Sequence, residues 1–358
     1  MSCDTGMAGG PPGVDVGEAP IALRPRGSTD VIPLSILDLV PVTPGTGPGE
    51  AIAASVALAR EAEAVGYQRV WYAEHHNMPA IASAATSVVI AHVAAHTTTI
   101  RLGAGGIMLP NHSPLVIAEQ FGTLAALHPG RIELGLGRAP GTDQVTVRAL
   151  RRDPGAADTF PQDVVELQAY LGDTPPVPGV EAVPGRGTHV PLYILGSSLF
   201  GARLAATLGL PYAFASHFAP TALTDAVATY RAEFRPSPVL ERPRVLAGVN
   251  VILGETPQDA EQELDRVKLA RVAIFFGRGG RTLTDDDARA ILASPSGRQI
   301  EAMLTCSAVG TPDDVRAQLT AFVKDADADE LITVHHASTP ERRLRSVRAT
   351  AEAMATAS

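Results

Sequence analysis

Short β-branched runs alternate along the chain with longer Ala/Leu-rich segments whose apolar residues recur at helical spacing. The short runs predict buried strands and the longer segments predict helices, as in repeated βα units of a parallel sheet. Eight such units within roughly 300 residues favour a closed (β/α)8 TIM barrel over an open doubly wound sheet. The predicted strands are Ile32–Leu39, Arg69–Ala73, Ile100–Met108, Ile132–Leu136, Leu192–Leu195, Tyr212–Ala215, Arg244–Leu253 and Leu331–Val334.

Two long segments interrupt the pattern. Gly137–Val190 follows strand 4, and Phe275–Leu304 follows the seventh predicted helix, Pro257–Ala273. Both contain Gly and Pro, which is typical of long functional loops, so we predict insertions that cover one face of the barrel.

The first thirty residues differ from the rest of the chain. They hold repeated Gly and Pro without a periodic apolar pattern, which predicts a disordered tail over residues 1–30. They lack the basic start and apolar stretch of a secretory signal. Residues 31–358 are then predicted to form one barrel domain.

The composition excludes several classes of protein. A net charge of −9 and 4% aromatic residues argue against a nucleic-acid partner. No uncharged run reaches the roughly 18 residues that span a bilayer, so no membrane association is expected. Only two thiols, Cys3 and Cys306, are present, too few for a disulfide framework or a Cys-based zinc site. We therefore expect a cytoplasmic protein.

Histidines concentrate where a barrel keeps its chemistry, at the carboxyl ends of strands. Six of the ten His residues follow predicted strand ends: His75, His76, His112, His217, His335 and His336. Each could be a capping or core residue, or part of a site. Neighbours in an extended segment point to opposite faces, so only one member of each adjacent pair can face the barrel mouth.

A metal-dependent hydrolase is one alternative for such a cluster. Zinc hydrolases on this fold usually place two His residues on strand 1. Strand 1 here runs Leu34–Asp38 and contains no His, so no metal is expected.

Three further segments suggest ligand contacts. Gly196-Ser197-Ser198 stands between strand 5 and a helix start, where it could bind phosphate or simply cap the helix. Arg138, at the exit of strand 4, could reach a phosphate or a ring carbonyl. The Gly-rich run Gly103–Gly106 in strand 3 predicts a bulge or a flat ligand against the backbone. Gly135–Gly141 departs from the dinucleotide fingerprint in its Gly spacing and by Pro140.

Taken together, these motifs resemble the bacterial luciferase-like family of flavin-dependent monooxygenases. The resemblance extends in order from Ile32 to Met354 and is greatest to single-chain members, some of which act in polyketide antibiotic pathways. The segments that carry it are Val70–His76, Gly105–His112, Ala118–Phe121, His128–Arg138, Gly196–Ser198 and Tyr212–Phe218.

The resemblance implies roles for individual residues. The catalytic His falls on His75, and a non-proline cis peptide beneath the flavin ring falls on Gly105-Gly106. Phosphate contacts fall on Arg138, Gly196, Ser197 and Ser198. The reactive Cys of luciferase is replaced here by Gly137. The remaining residues predicted to line the flavin or substrate pocket are Glu74, His76, Asn111, His112, His217, Phe218 and His335.

The implied activity is oxygenation of an organic small molecule, such as an aromatic polyketide, by reduced FMN and dioxygen through a flavin hydroperoxide. Because no nicotinamide motif is found, a separate flavin reductase is the expected partner, and the family's dimers suggest a homodimer. The alternatives are hydride transfer from a deazaflavin on the same fold, a metal-dependent hydrolase, and a flavin-binding protein without catalysis.

Overall fold

The computed structural model describes residues 32–43, 45–153, 155–277 and 283–355. The predicted tail, residues 1–30, lies outside these ranges. So does part of the Gly-rich run of the second insertion.

The described chain forms a parallel barrel. Eight strands follow each other around it in the order β1 to β7 and then β9, which pairs with β1 and closes the ring. The prediction of a (β/α)8 barrel is therefore confirmed. The strands are β1 (Leu34–Asp38), β2 (Arg69–Tyr72), β3 (Arg101–Met108), β4 (Ile132–Gly137), β5 (Leu192–Gly196), β6 (Tyr212–Phe214), β7 (Val245–Leu253), β8 (Ser307–Gly310) and β9 (Glu330–His336).

The sequence did not predict β8. This strand pairs in parallel with the second half of β7, from Asn250 to Leu253. The shorter β6 pairs with β7 only as far as Ala247, so the upper edge of β7 is free to accept another strand. β8 consequently lies beside the barrel and is not one of the eight strands that form it.

Helices cover the outside of the barrel. The structure places insertions at both predicted points, and the sequence missed the short helices α4, α9 and α10 within them. The helices are α1 (Pro48–Ala64), α2 (Thr86–Ala94), α3 (Pro114–Leu127), α4 (Gln144–Ala149), α5 (Phe160–Leu171), α6 (Leu199–Leu208), α7 (Leu223–Glu233), α8 (Pro257–Phe276), α9 (Asp285–Leu292), α10 (Pro295–Met303), α11 (Pro312–Asp325) and α12 (Pro340–Ala355). Among the described residues, no helix is both long enough and apolar enough to cross a membrane.

Threonine caps explain where two of these helices begin. The Thr311 hydroxyl accepts the backbone N–H of Asp314, whose carboxylate accepts the N–H of Thr311 in return. Thr256 caps α8 through the backbone N–H of Asp259. Each cap satisfies an N–H group that has no partner within the helix.

A buried network of charges closes the amino-terminal end of the barrel. The Arg69 guanidinium donates to Glu133 at 2.8 Å and to Glu330 at 3.2 Å, and all three side chains are buried. Arg101 and Arg244 add ion pairs to Glu133 and Glu330 at 2.9 and 2.7 Å. Inward-facing apolar side chains, among them Leu37, Trp71, Tyr193, Leu246 and Ile332, form the next layer. The open end of the barrel is therefore the carboxyl end of its strands.

We expect Gly103→Ala to lower the free energy of unfolding by roughly 1–3 kcal/mol, because core overpacking forces a backbone shift. A Cβ on Gly103 would lie 2.5 Å from the Glu133 carbonyl oxygen and 3.0 Å from Trp71 Cδ1. Urea unfolding followed by circular dichroism measures the loss. Gly49→Ala is the matched control, since a Cβ there meets no atom within 4 Å. Equal stability of the two variants would contradict the expectation.

Candidate active site

An open cavity lies at the carboxyl end of the barrel. Its walls are mostly apolar and include one imidazole, that of His217. The lining includes Leu37, Trp71, Gly105, Leu195, His217 and Gly248. An apolar cavity with few polar groups is typical of a small-molecule site.

Gly105 lines this cavity, and Gly106 follows it on β3. The Gly105-Gly106 peptide is cis, at the position that the family resemblance implies, and the β3–β4 register shifts between Ala104 and Ile107. A Cβ on Gly105 would lie 2.8 Å from both Leu37 Cδ1 and Trp71 Cβ, and one on Gly106 would lie 2.7 Å from the Gly135 carbonyl oxygen. No side chain fits at either position, so bare backbone borders the cavity.

His75 stands just after β2 in a defined tautomer. Its Nδ1 lies 3.2 Å from the Gly141 carbonyl oxygen, which can only accept, so Nδ1 carries the hydrogen. Burial lowers the pKa of His75, and the imidazole is therefore neutral near pH 7. Its Nε2 consequently presents a lone pair that can accept a proton or a hydrogen bond.

Glu74 points away from His75 and organises a different group. The buried Glu74 carboxylate accepts hydrogen bonds from His76 Nε2 at 2.7 Å, His112 Nε2 at 2.9 Å, Asn111 Nδ2 at 3.3 Å and the Met108 backbone N–H at 2.9 Å. Burial alone would raise the pKa of Glu74, but the hydrogen bonds from His112 and His76 outweigh it and lower the pKa to about 2. An ionised carboxylate thus ties the end of β2 to the segment after β3.

This group also has the composition of a metal site. The ligand-type atoms of Glu74, His76 and His112 all lie within 4.8 Å of one another, the one such group among the described residues. Because each imidazole donates to the carboxylate, hydrogen bonding accounts for this spacing. The absence of a metal stays a prediction, which elemental analysis of the purified protein tests.

We expect Glu74→Gln to lower the free energy of unfolding at pH 7 by about 1.5–3 kcal/mol, because it removes charge-assisted hydrogen bonds in a buried position. The folded pKa of Glu74, about 2, lies below its ordinary value of 4.5. The stabilisation is therefore present above pH 4.5 and is lost as the pH falls towards 2. Urea unfolding between pH 3 and 7 should show a smaller acid-dependent loss in the variant, and Glu241→Gln, on the exposed surface, is the control. Identical pH profiles for wild type and Glu74→Gln would contradict this expectation.

The segment predicted to bind phosphate lies at an exposed part of the rim. Arg138 extends from the end of β4, and its guanidinium carbon lies 4.3 Å from the centre of the Phe200 ring. Phe200 belongs to the first turn of α6, which begins directly after the exposed Ser197 and Ser198. Neither serine side chain caps the helix. The structure therefore brings Arg138 to the amino end of α6, beside two hydroxyl groups that have no hydrogen-bond partner among the described residues.

A second polar group lies on the opposite side of the mouth. Asn250, on β7, donates to the His217 carbonyl oxygen at 2.9 Å, and its own Oδ1 lies 2.9 Å from His336 Nε2. Arg271, on α8, donates to the same Asn250 Oδ1 and to the His217 carbonyl oxygen, both at 3.2 Å. His217 from the segment after β6, Asn250 on β7, Arg271 on α8 and His336 on β9 thus converge at the mouth.

Comparison with known proteins decides the family. The family profile described as luciferase-like monooxygenase matches residues 32–330, most of the chain. The chain belongs to the luciferase-like monooxygenase family. A curated relative of that same description from Escherichia coli (strain K12) is 50% identical over 303 residues, which is 84% of this chain and 90% of the relative.

Solved structures agree with this luciferase-like fold. The apo form of MsnO8 is 35% identical with a TM-score of 0.81, covering 90% of this chain and 98% of that one. An F420-dependent secondary alcohol dehydrogenase in complex with an F420-acetone adduct has a TM-score of 0.66 at 15% identity, covering 90% and 99%. The latter likeness concerns the fold alone.

Not every predicted residue of this luciferase-like monooxygenase lies at the cavity. His335 was predicted to line the pocket, but its side chain lies on the helix side of β9, where Nδ1 meets the Ser346 hydroxyl at 2.8 Å and Nε2 meets the Thr333 hydroxyl at 3.0 Å. Its neighbour His336 faces the mouth instead. Phe218 is exposed at the rim, where its ring stacks on Phe275 of α8.

Sequence reasoning also missed two members of the second polar group. Asn250 is the one polar residue in the apolar run of β7, and this interruption was a usable signal. Arg271 lies in a helix rich in charged residues, so nothing in its sequence context distinguishes it.

Proposed function

We propose that this protein is a flavin-dependent monooxygenase that binds reduced FMN at the barrel mouth and uses dioxygen to oxygenate an organic small molecule. The observation that carries the proposal is a cavity bordered by bare backbone at Gly105 of the cis Gly105-Gly106 peptide, with a neutral imidazole, His75, just after the strand that contributes Trp71 to the same cavity. A flat cofactor ring requires such a wall, and oxygen chemistry requires proton control beside it.

The residues at the mouth fit FMN. Gly105 and Gly106 would lie against the flat ring, because any side chain there would collide with its neighbours. Arg138, Gly196, Ser197 and Ser198 would hold the phosphate, which favours a guanidinium and the amino end of a helix. Reduced FMN would supply the electrons that activate dioxygen.

His75 is assigned the proton-handling role. The Gly141 carbonyl fixes the donor on Nδ1, so Nε2 can accept a proton from a reacting group and later return it. Glu74 holds the segment after β3 in place through Asn111 and His112. The apolar side chains of Leu37, Trp71 and Leu195 exclude water from the cavity.

Cofactor binding and oxygen uptake test this proposal. Under anaerobic conditions, purified protein should bind reduced FMN more tightly than a reduced deazaflavin. With NADH and FMN present, oxygen uptake should require an added flavin reductase, because no nicotinamide motif occurs in the chain. Tighter binding of the deazaflavin with oxygen-independent hydride transfer would contradict the proposal. NADH oxidation by the purified protein alone would contradict the need for a reductase.

An aromatic polyketide substrate, a homodimer and a cytoplasmic location stay predictions from the sequence. Mass spectrometry of oxygenated products formed in ¹⁸O₂ and the measured molar mass in solution test the first two directly.

A further inference from the structure

Arg271 is a cation without a counterion at the barrel mouth. Its Nη2 donates to Asn250 Oδ1 and to the His217 carbonyl oxygen, and both of these acceptors are uncharged. Within the described part of the chain, no carboxylate pairs with Arg271, and its Nε and Nη1 have no protein acceptor. By contrast, the buried Arg69 contacts Glu133 and Glu330. Burial lowers the pKa of Arg271 only to about 10, so it remains charged at pH 7.

The groups that face Arg271 do not neutralise it. Burial, followed by the charge of Arg271, lowers the pKa of His217 to about 3 and that of His336 well below its ordinary value. Both imidazoles are therefore neutral. His217 Nδ1 is buried without a hydrogen-bond partner among the described residues. A buried donor or acceptor left unpaired costs about 1–3 kcal/mol, and this atom lies against Gly248, which also lines the cavity.

The cavity beside this group sets the shape of a ligand. His217 lines it together with apolar residues, including Leu37, Trp71 and Leu195. Gly248 leaves room for the imidazole, since a Cβ at that position would collide with His217 Nδ1. A ligand with an apolar body and one charged end would satisfy both the walls and the unpaired cation.

We propose that Arg271, held in place by Asn250 and beside His217, binds the carboxylate of an organic-acid substrate at the barrel mouth. The proposal rests on the proposed function in taking the side of this cavity lined by His217 and Gly248 as the substrate site, while the Gly105 wall is left to the flavin ring. A carboxylate oxygen can accept a charge-assisted hydrogen bond from Arg271 Nη1, which has no acceptor among the described residues, and a single negative charge matches the single cation. The apolar body of the acid would extend into the cavity, across the mouth from Arg138.

Benzoate and benzamide provide matched probes, because they share a ring and differ in charge. Isothermal titration should show benzoate binding wild type about 10- to 100-fold more tightly than benzamide, the range expected of a charge-assisted hydrogen bond. Arg271→Gln should reduce benzoate affinity to that of benzamide, and Arg271→Lys should retain part of the preference. Arg298→Gln, on the exposed face of α10, is the control and should bind as wild type. Trp71, the single Trp of the chain, lines the cavity and gives a fluorescence signal for filling.

A second variant tests whether a lost preference for benzoate comes from the missing charge and not from misfolding. Arg271→Met removes the charge and keeps an unbranched side chain of similar length, so it should likewise abolish the preference for benzoate. Circular dichroism and thermal unfolding verify that each variant is folded.

Several results would overturn the proposal. These are no benzoate binding by wild type, equal binding of benzoate and benzamide, and unchanged benzoate affinity in folded Arg271→Gln. Loss of reduced FMN binding in Arg271→Gln with benzoate binding intact would assign the cation to the cofactor and also overturn it. Arg271-dependent benzoate binding without any oxygenation would support this inference and contradict the proposed function.

Discussion

Replacing His75 with Gln is expected to slow oxygenation by about 10²- to 10⁴-fold, the range that a positioned proton donor or acceptor contributes. Gln keeps a polar group of similar reach but cannot exchange a proton near neutral pH. Affinity for reduced FMN should stay within a few-fold of wild type, because His75 is not among the proposed phosphate or ring-wall residues. Single-turnover product formation and hydrogen peroxide release, measured side by side, separate oxygenation from unproductive oxygen use.

The pH profile sharpens this test. Burial lowers the pKa of His75 from its ordinary 6.5, so the neutral base form is populated at neutral pH and is lost as the pH falls through the lowered pKa. The wild-type oxygenation rate should therefore fall at acidic pH. The rate of His75→Gln should not show this fall. His92→Gln, on the exposed face of α2, is the control. A wild-type rate and profile in His75→Gln would remove His75 from the mechanism.

The largest stability effect is expected at the opposite end of the barrel, from Arg69→Met. Removing the guanidinium leaves Glu133 and Glu330 buried without their shared cation, and breaking a buried ion pair in this way costs roughly 3–5 kcal/mol. Thermal and urea unfolding measure the loss in the full-length protein.

A surface ion pair provides the matched control. Arg348 contacts the Glu61 carboxylate through two hydrogen bonds of 2.7 and 2.9 Å, but the arginine is exposed. Arg348→Met should therefore cost only about 0–1 kcal/mol. If Arg69→Met were as mild as Arg348→Met, the buried network could not be what stabilises this end of the barrel.

The fold was predictable because its signal is local. Strands buried on both faces appear as apolar β-branched runs, and helices appear through their spacing and caps, as at Thr311 and Thr256. The elements that were missed, α4, α9, α10 and β8, are short segments of four to nine residues. The three helices carry too few periodic positions to distinguish them from a loop, and β8, Ser-Ala-Val-Gly, has a single β-branched residue.

The candidate site could also be predicted only in part from the sequence. The positions of His75, Gly105-Gly106 and the Ser197-Ser198 turn followed from motifs contiguous in sequence. Glu74 was named from the same motif, yet its four hydrogen-bond donors became clear only once β2 and the segment after β3 were side by side.

By itself, the sequence determined an eight-stranded α/β barrel, the places of its two insertions and the histidine-rich strand ends, because periodicity and turn chemistry act over short stretches of chain. Only the tertiary structure decided that His336 faces the mouth while His335 packs beneath α12. Both faces of β9 are buried and each ends in one of the two His residues, so the alternation alone does not distinguish inside from outside. The tertiary structure likewise placed Arg271 beside Asn250 and His217. Barrel closure brings together residues that are distant in sequence and share no local pattern.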